Sequence, residues 1–489
     1  MQARLIAVAA ALAACGAAHA LTPAQITAAR TAGTLKEVYI AGASAQRLFL
    51  GAWMQAQCKA TTFDVFFNGT GAAPTGSNHR AYSCQLSKQV GNWAAGTNVL
   101  LVKRDQGGST QGVNPIATGT AQDMMVVDST CTATGNSSPA ADILVPSYAC
   151  PSTAARLADA GVSDVEPSLL QHPSNLLSPA VAVDTSTLDY AAFNLTLMGV
   201  AVNKKLYRAL QEAQGLISAG AALDDDAAKQ PSLNRAFVAS VLSGTASGSS
   251  TNRRGWNVVI PTSVDSAVES KQINICRRNI GSGTQAASNI YFLEQGCAKT
   301  GTGNFPVTGQ TVGAANSTVT TSPALAETGT LAWNLGSSAG AVETCLGTTV
   351  EGLAGTAYGI GVISRENNPT PSGTTTDKGY RFVKLNGVAP LRDNGKAGAY
   401  DFMYAATMQW SKTTLTDANV KAFLTNLRTN GGRAASLNVA DVDTQQGVLA
   451  LPSTYGTAYA AITDAVTLKF ASRVARNAVN SCAPLVSVK

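Results

Sequence analysis

The sequence predicts an α/β protein with helices layered on largely parallel sheets, and three observations carry that expectation. Runs rich in β-branched and aromatic residues alternate with stretches of helical periodicity. The junction between such a run and the next helical stretch is repeatedly a short loop of Gly, Ala, Ser and Thr. With 489 residues, 45% of them hydrophobic and 13% charged, the chain can build a sizeable core and has too little charge for a disordered polypeptide.

The N-terminus carries Arg4, the apolar run LIAVAAALAA and then Ala18-His19-Ala20, the pattern of an export signal. The apolar run is too short to span a bilayer. Two processing routes fit it: cleavage after Ala20, which gives a periplasmic or secreted protein, and acylation of Cys15, because Leu12-Ala13-Ala14-Cys15 also resembles a lipobox. Beyond this leader the first unit covers residues 35–57. A β-rich VYIAG is followed by a Gly-Ala-Ser turn and the apolar-periodic RLFLGAWMQAQ, giving strand, small-residue loop and helix. Further strands are expected at 62–67, 98–103, 195–202 and 272–278, and half-buried surface helices at 231–242 and 416–427. Two Gly/Ser/Thr-rich stretches, 243–254 and 301–330, read as exposed insertions, and 128–152 as an irregular region.

Eight cysteines follow the leader: Cys58, Cys84, Cys131, Cys150, Cys276, Cys297, Cys345 and Cys482. An even number in an exported chain favours disulfides, and Cys58 with Cys84 and Cys131 with Cys150 are the expected local pairs. The last pair would staple the irregular region. The net charge of +6 comes without basic blocks, so no nucleic-acid partner is expected. His occurs only at His19, His79 and His172, which removes zinc sites built on paired His and leaves a hydrolase few bases. No metal and no cofactor is expected.

The sharpest local signal is CRRNIGSGTQAASNIYFL, residues 276–293. A β-type run ends at Arg278, and a Gly-Ser-Gly-Thr loop opens a helix whose free N–H groups and dipole attract an anion. Ser282 and Thr284 add hydroxyls, and Arg278, expected as an exposed site side chain, offers a forked guanidinium. The plainer reading of the same loop is a helix N-cap. A second such place is Gly42-Ala43-Ser44-Ala45-Gln46, and a third is GVSDVEP at 161–167, where Asp164 stands in a turn. A carboxylate beside an oxyanion repels it unless the ligand has a proton to donate, a combination that selects hydrogen phosphate over sulfate.

Together these motifs resemble the substrate-binding proteins of bacterial phosphate-specific ABC transporters, a family of type II periplasmic binding proteins. The resemblance runs through AGASAQRLFLGAW, AGVSDVEPSLL, GVAVNKKLY, VLSGTASGSSTNRRGWNVV, RRNIGSGT, AYGIGVISRE and KLNGVAPLRDNGKAGAYDFMY. It implies a two-domain Venus-flytrap fold carrying disulfide-stapled insertions. Domain I would comprise 21–190 and 368–489, and domain II 191–367. It also implies a phosphate or similar tetrahedral oxyanion held by Ser44, Ala45, Asp164, Arg278, Ser282, Gly283 and Thr284. The chain would act as a monomer, without catalysis, and deliver its ligand to an ABC permease.

Two departures stand out. The family's second-loop serine aligns with Ala72, leaving Thr70, Thr75 or Ser77 as substitute donors. About ninety residues separate that loop from Asp164, and the segment Lys103-Arg104-Asp105-Gln106-Gly107-Gly108-Ser109 inside them reads either as a second anion loop or, preferably, as a solvated turn. The alternatives are an exported binding or surface protein of the same fold with another ligand, and a secreted phosphatase using Ser282 or Ser44. The scarcity of His and of clustered carboxylates argues against the phosphatase.

Overall fold

The computed structural model describes residues 21–487 except 77, 141, 177–180, 244–254, 295–330, 356, 371–375, 440–446 and 477–478. The leader with Cys15, Cys297, Ser77 and nearly all of the two expected insertions lie outside the described residues.

All five predicted strands form, because their β-branched runs are flanked by turn residues that end them. In chain order the strands that build the site are β1 (Leu35–Gly42), β2 (Asp64–Asn68), β3 (His79–Gln85), β4 (Asn98–Arg104), β5 (Tyr148–Cys150) and β6 (Ala160–Ser163). They continue with β7 (Leu188–Asn203), β8 (Ile273–Arg278), β9 (Leu331–Gly336), β10 (Tyr358–Ser364) and β11 (Met403–Ser411). Their order across the sheet is β9-β8-β10-β7-β11-β6-β1-β4-β3-β2-β5.

The sheet is mixed, not largely parallel. Strand β1 runs parallel to β4 and β6, and β8 parallel to β9 and β10. Around the middle the direction alternates, because β7 is a single strand of 16 residues that serves both halves. Its residues 188–197 pair antiparallel with β11, and its residues 198–202 antiparallel with β10, with a bulge between Ala192 and Asn194. Two lobes therefore share one backbone ladder. Short strands Tyr380–Phe382 and Lys384–Leu385 pair with the far end of β7 and with Ser232–Leu233. The chain thus still pairs with this half of the sheet at Tyr380–Phe382.

Helix α1 (Arg47–Gln57) follows β1 and is buried on nearly every side, as its almost unbroken apolar sequence requires. The two predicted surface helices appear as α2 (Arg235–Leu242) and α4 (Ala418–Asn430), with α3 (Gly283–Leu293) between them in sequence. Asn234 caps α2 and Asp417 caps α4, each side chain accepting from backbone N–H groups of the first turn. Each of these two buries one apolar face; Phe423 of α4 meets the Trp53 ring of α1 edge-on at 5.5 Å.

Cys58 is bonded to Cys84 and Cys131 to Cys150, the two expected pairs. A third bond, Cys276–Cys345, ties β8 to the segment after β9, and Cys482 is disulfide-bonded as well. Closing loops of 19 to 69 residues in this way is worth about 3–4 kcal/mol each in the chain-entropy picture. No helix among the described residues is long and apolar enough to cross a membrane.

Candidate functional site

The carboxyl ends of the parallel strands in the two lobes face one another, the place where open α/β sheets bind ligands. Loops after β1, β4 and β6 come from one side, and those after β8 and β9 from the other.

Arg278, the last residue of β8, is only 1% exposed, and so is not the exposed side chain expected. Its Nη1 donates to Ser44 Oγ across the cleft at 3.0 Å, while Nε and Nη2 donate to the carbonyls of Gly336 and Ser337 at 3.2 and 3.0 Å. All three acceptors are neutral, so the guanidinium carries its charge in a dry place without a bonded counter-charge. Burial lowers its pKa to about 10, against the pull of the Asp164 carboxylate. Truncating Arg278 therefore costs stability, since the Ser337 carbonyl loses its side-chain donor while Gly336 keeps the Asn279 N–H.

The loop 281–284 completes the second lobe's share. Ser282 Oγ accepts from Gln285 N–H, so the N-cap reading holds for this serine, whose O–H still has a proton to give. Thr284 Oγ1 donates to Asp164 Oδ2 at 3.0 Å across the cleft. Gly283 packs so closely that a Cβ would stand 2.2 Å from Ser109 Oγ and 2.8 Å from Asp164 Cβ. Only glycine lets the helix start approach the opposite lobe.

From the first lobe, Ser44 and Ala45 are buried in the turn that opens α1, and Gln46 anchors that turn to β7 by donating to Thr196 Oγ1 at 2.8 Å. Asp164 is fully enclosed, its N–H donating to Ser109 Oγ at 3.1 Å. Its Oδ1 makes no hydrogen bond among the described residues. Burial raises the pKa of this carboxyl, and the Thr284 hydroxyl and the Arg278 charge pull it back down.

Thus Ser44, Ala45, Asp164, Arg278, Ser282, Gly283 and Thr284 lie along one cleft, with direct cross-cleft contacts between Ser44 and Arg278 and between Asp164 and Thr284. Thr70 does not join them: it is exposed on the loop after β2 and does not line the neighbouring cavity, whereas Thr75 on the same loop does.

The segment 103–109 is the main correction. It is not a solvated turn, for Lys103, Asp105 and Ser109 are entirely buried. Lys103 Nζ pairs with Asp105 Oδ1 at 2.7 Å and with the Gly42 carbonyl at 2.9 Å, which fixes the loops after β4 and β1 together. Thr110 then donates to the Gly281 carbonyl twice, from N–H at 2.9 Å and from Oγ1 at 2.7 Å. Gly107-Gly108-Ser109-Thr110 repeats the small-residue pattern of 281–284 after a strand, so the signal was present in the sequence.

The chain is similar to phosphate ABC transporter substrate-binding proteins. One, from Clostridium perfringens with bound phosphate, shows 11% identity over 84% of this chain and 99% of its own, with a TM-score of 0.39. The ABC-type phosphate transport receptor from Vibrio cholerae shows 12% identity over 82% and 98%, with a TM-score of 0.35. PstS from Borrelia burgdorferi shows 11% identity over 85% and 98%, with a TM-score of 0.32. No protein-family model and no curated protein matches the chain.

Three further charged residues beside the cleft went unnoticed in the sequence. Arg47, Arg80 and Glu366 are buried, and neither carboxylate oxygen of Glu366 has a hydrogen-bond partner among the described residues. Nothing in their local sequence marks them, since a charge inside a helix or after a strand reads as a solvated face.

Proposed function

We propose that the protein is an exported solute-binding protein that holds phosphate or a similar tetrahedral oxyanion between its two lobes, without catalysis, and passes it to an ABC-type permease. The lobes would be residues 21–190 with the C-terminal part of the chain, and 191–385. One observation carries this reading: a buried arginine bonded only to neutral acceptors lies beside a helix N-terminus furnished with Ser282 and Thr284, at a cleft closed by the other lobe. Such a guanidinium gains most from an oxyanion that takes two of its protons in a fork.

An entering anion exchanges the Arg278–Ser44 bond for bonds to itself, receiving from both groups. The unpartnered Asp164 Oδ1 accepts a proton-bearing ligand oxygen, which hydrogen phosphate has and sulfate lacks. Closure then follows from differential contacts, because the ligand touches both lobes only when they meet.

Titration calorimetry on residues 21–489, stripped of anion by partial unfolding and dialysis, tests this. Phosphate should bind and sulfate should bind at least a hundredfold more weakly, and Arg278→Ala should bind neither. Equal affinities for the two anions, or an unaffected Arg278→Ala, would reject the reading.

A further inference from the structure

Beside the oxyanion cleft a cavity of about 740 Å³ opens between the lobes. Arg47, Asn78 and Arg80 line it from the first lobe, and Ser337, Ser338 and Lys378 from the second. It adjoins the cleft through Ser337, which lines the cavity and whose carbonyl accepts from Arg278 Nη2.

The charges in this cavity are unequal. Its one carboxylate, Glu343, is already satisfied: Lys378 Nζ stands 2.8 Å from Oε1, and the Tyr380 hydroxyl donates to the same oxygen at 2.6 Å. The two guanidiniums are not satisfied in this way. Arg47 is 6% exposed and its Nε is buried without a hydrogen-bond partner. Arg80 is 6% exposed, stacks over the Phe67 ring at 4.3 Å and donates from Nε to the Gly76 carbonyl, leaving Nη1 buried and unpartnered. Arg47 feels the Asp105, Glu366 and Glu343 carboxyls, but none of them takes its Nε, and Arg80 Nη1 has no acceptor either; donors left over beside a cavity are costly unless an anion takes them up.

A single tetrahedral anion seated at Arg278 and the 281–284 loop cannot also fill a cavity of ligand-binding size. We infer that the protein takes a small organic phosphate bearing a second anionic group, with the phosphoryl at Arg278 and the second anion at Arg47 and Arg80. This rests on the oxyanion reading above and names the ligand class of that same cleft. The rim fits such a ligand, since Thr75, Thr344 and Thr348 stand exposed at the mouth and the arginines lie inside.

The test compares orthophosphate, methyl phosphate and phosphoglycolate by titration calorimetry on the anion-stripped full mature chain. Phosphoglycolate should bind at least tenfold more tightly than methyl phosphate, and that ratio should fall towards one in Arg47→Gln. Asn78→Asp, which puts a carboxylate at a half-buried cavity position without removing a core group, should also lower the ratio at least threefold and serves if Arg47→Gln fails to fold. A ratio near one in the unaltered protein, with orthophosphate still bound, overturns this inference and leaves the oxyanion receptor standing. Failure of all three ligands to bind overturns the oxyanion reading itself.

Discussion

At the scale of single residues, the cleft holds more buried charge than a neutral core tolerates, and each charged group has a separate means of support. Lys103 and Asp105 neutralise each other, Arg278 leans on carbonyls, and Asp164 keeps one oxygen bonded. Glu366 has none of these: burial pushes its pKa well above the ordinary carboxylate value, against the pull of Arg47. The sign of the consequence follows. Between the ordinary and the raised value the folded state holds a proton that the unfolded chain has released, so stability falls as pH rises through that window. Glu366→Gln in ligand-free protein removes this slope, which for one proton is at most about 1.4 kcal/mol per pH unit. Thermal unfolding should show the variant gaining on the parent from pH 5 to pH 8 and the two converging near pH 4; a constant difference across that range would refute the assignment.

These residues also show what a sequence can and cannot yield. Arg278, Ser282 and Thr284 were legible because they stand in one local strand, loop and helix unit, where spacing alone places them at a helix start. Arg47, Arg80 and Glu366 were not, because their burial arises from the meeting of segments distant in sequence. Ser109 and Thr110 fall between the two cases: the local pattern was there, but a Gly-Gly turn after a strand is ordinary until another lobe is seen packed upon it.

At the scale of elements, the decisive contact is that of the α3 start with the loops after β4 and β6. Thr110 donates two hydrogen bonds to the Gly281 carbonyl there, and Gly283 has no room for a methyl group. Gly283→Ala should leave each lobe folded and hold the lobes apart, weakening anion binding at least tenfold with a shift in thermal midpoint of a few degrees at most. Calorimetry and circular dichroism on the same sample separate these effects. The strands were predicted well because their apolar runs are long and bounded by turns. Their directions were not, because antiparallel pairing of β7 with β10 and β11 depends on where the chain crosses, which no local pattern records.

At the scale of the whole molecule, the two-lobe arrangement implies motion. If the ligand bridges the lobes, the anion-stripped protein should have a larger radius of gyration in small-angle X-ray scattering than the same sample after phosphate is added back. Identical curves would mean that closure is not coupled to binding. The disulfides bear on this as well. Cys58–Cys84 and Cys131–Cys150 stiffen one lobe, while Cys276–Cys345 stiffens the strand that ends in Arg278, so reduction should loosen the loop 279–282 before it unfolds the sheet.

Strand β7 gives the connection between the lobes its mechanical character. Because its hydrogen bonds continue from one half-sheet into the other, the lobes cannot swing as bodies on a slack tether; they must twist a continuous ribbon, which resists and recoils. Gln46 clamps the turn after β1 to that ribbon at Thr196, and Asn194 at the bulge donates back to Gln46 Oε1. The ribbon thus acts as a torsion bar, with the Ser44 turn fastened close to the point where it bends.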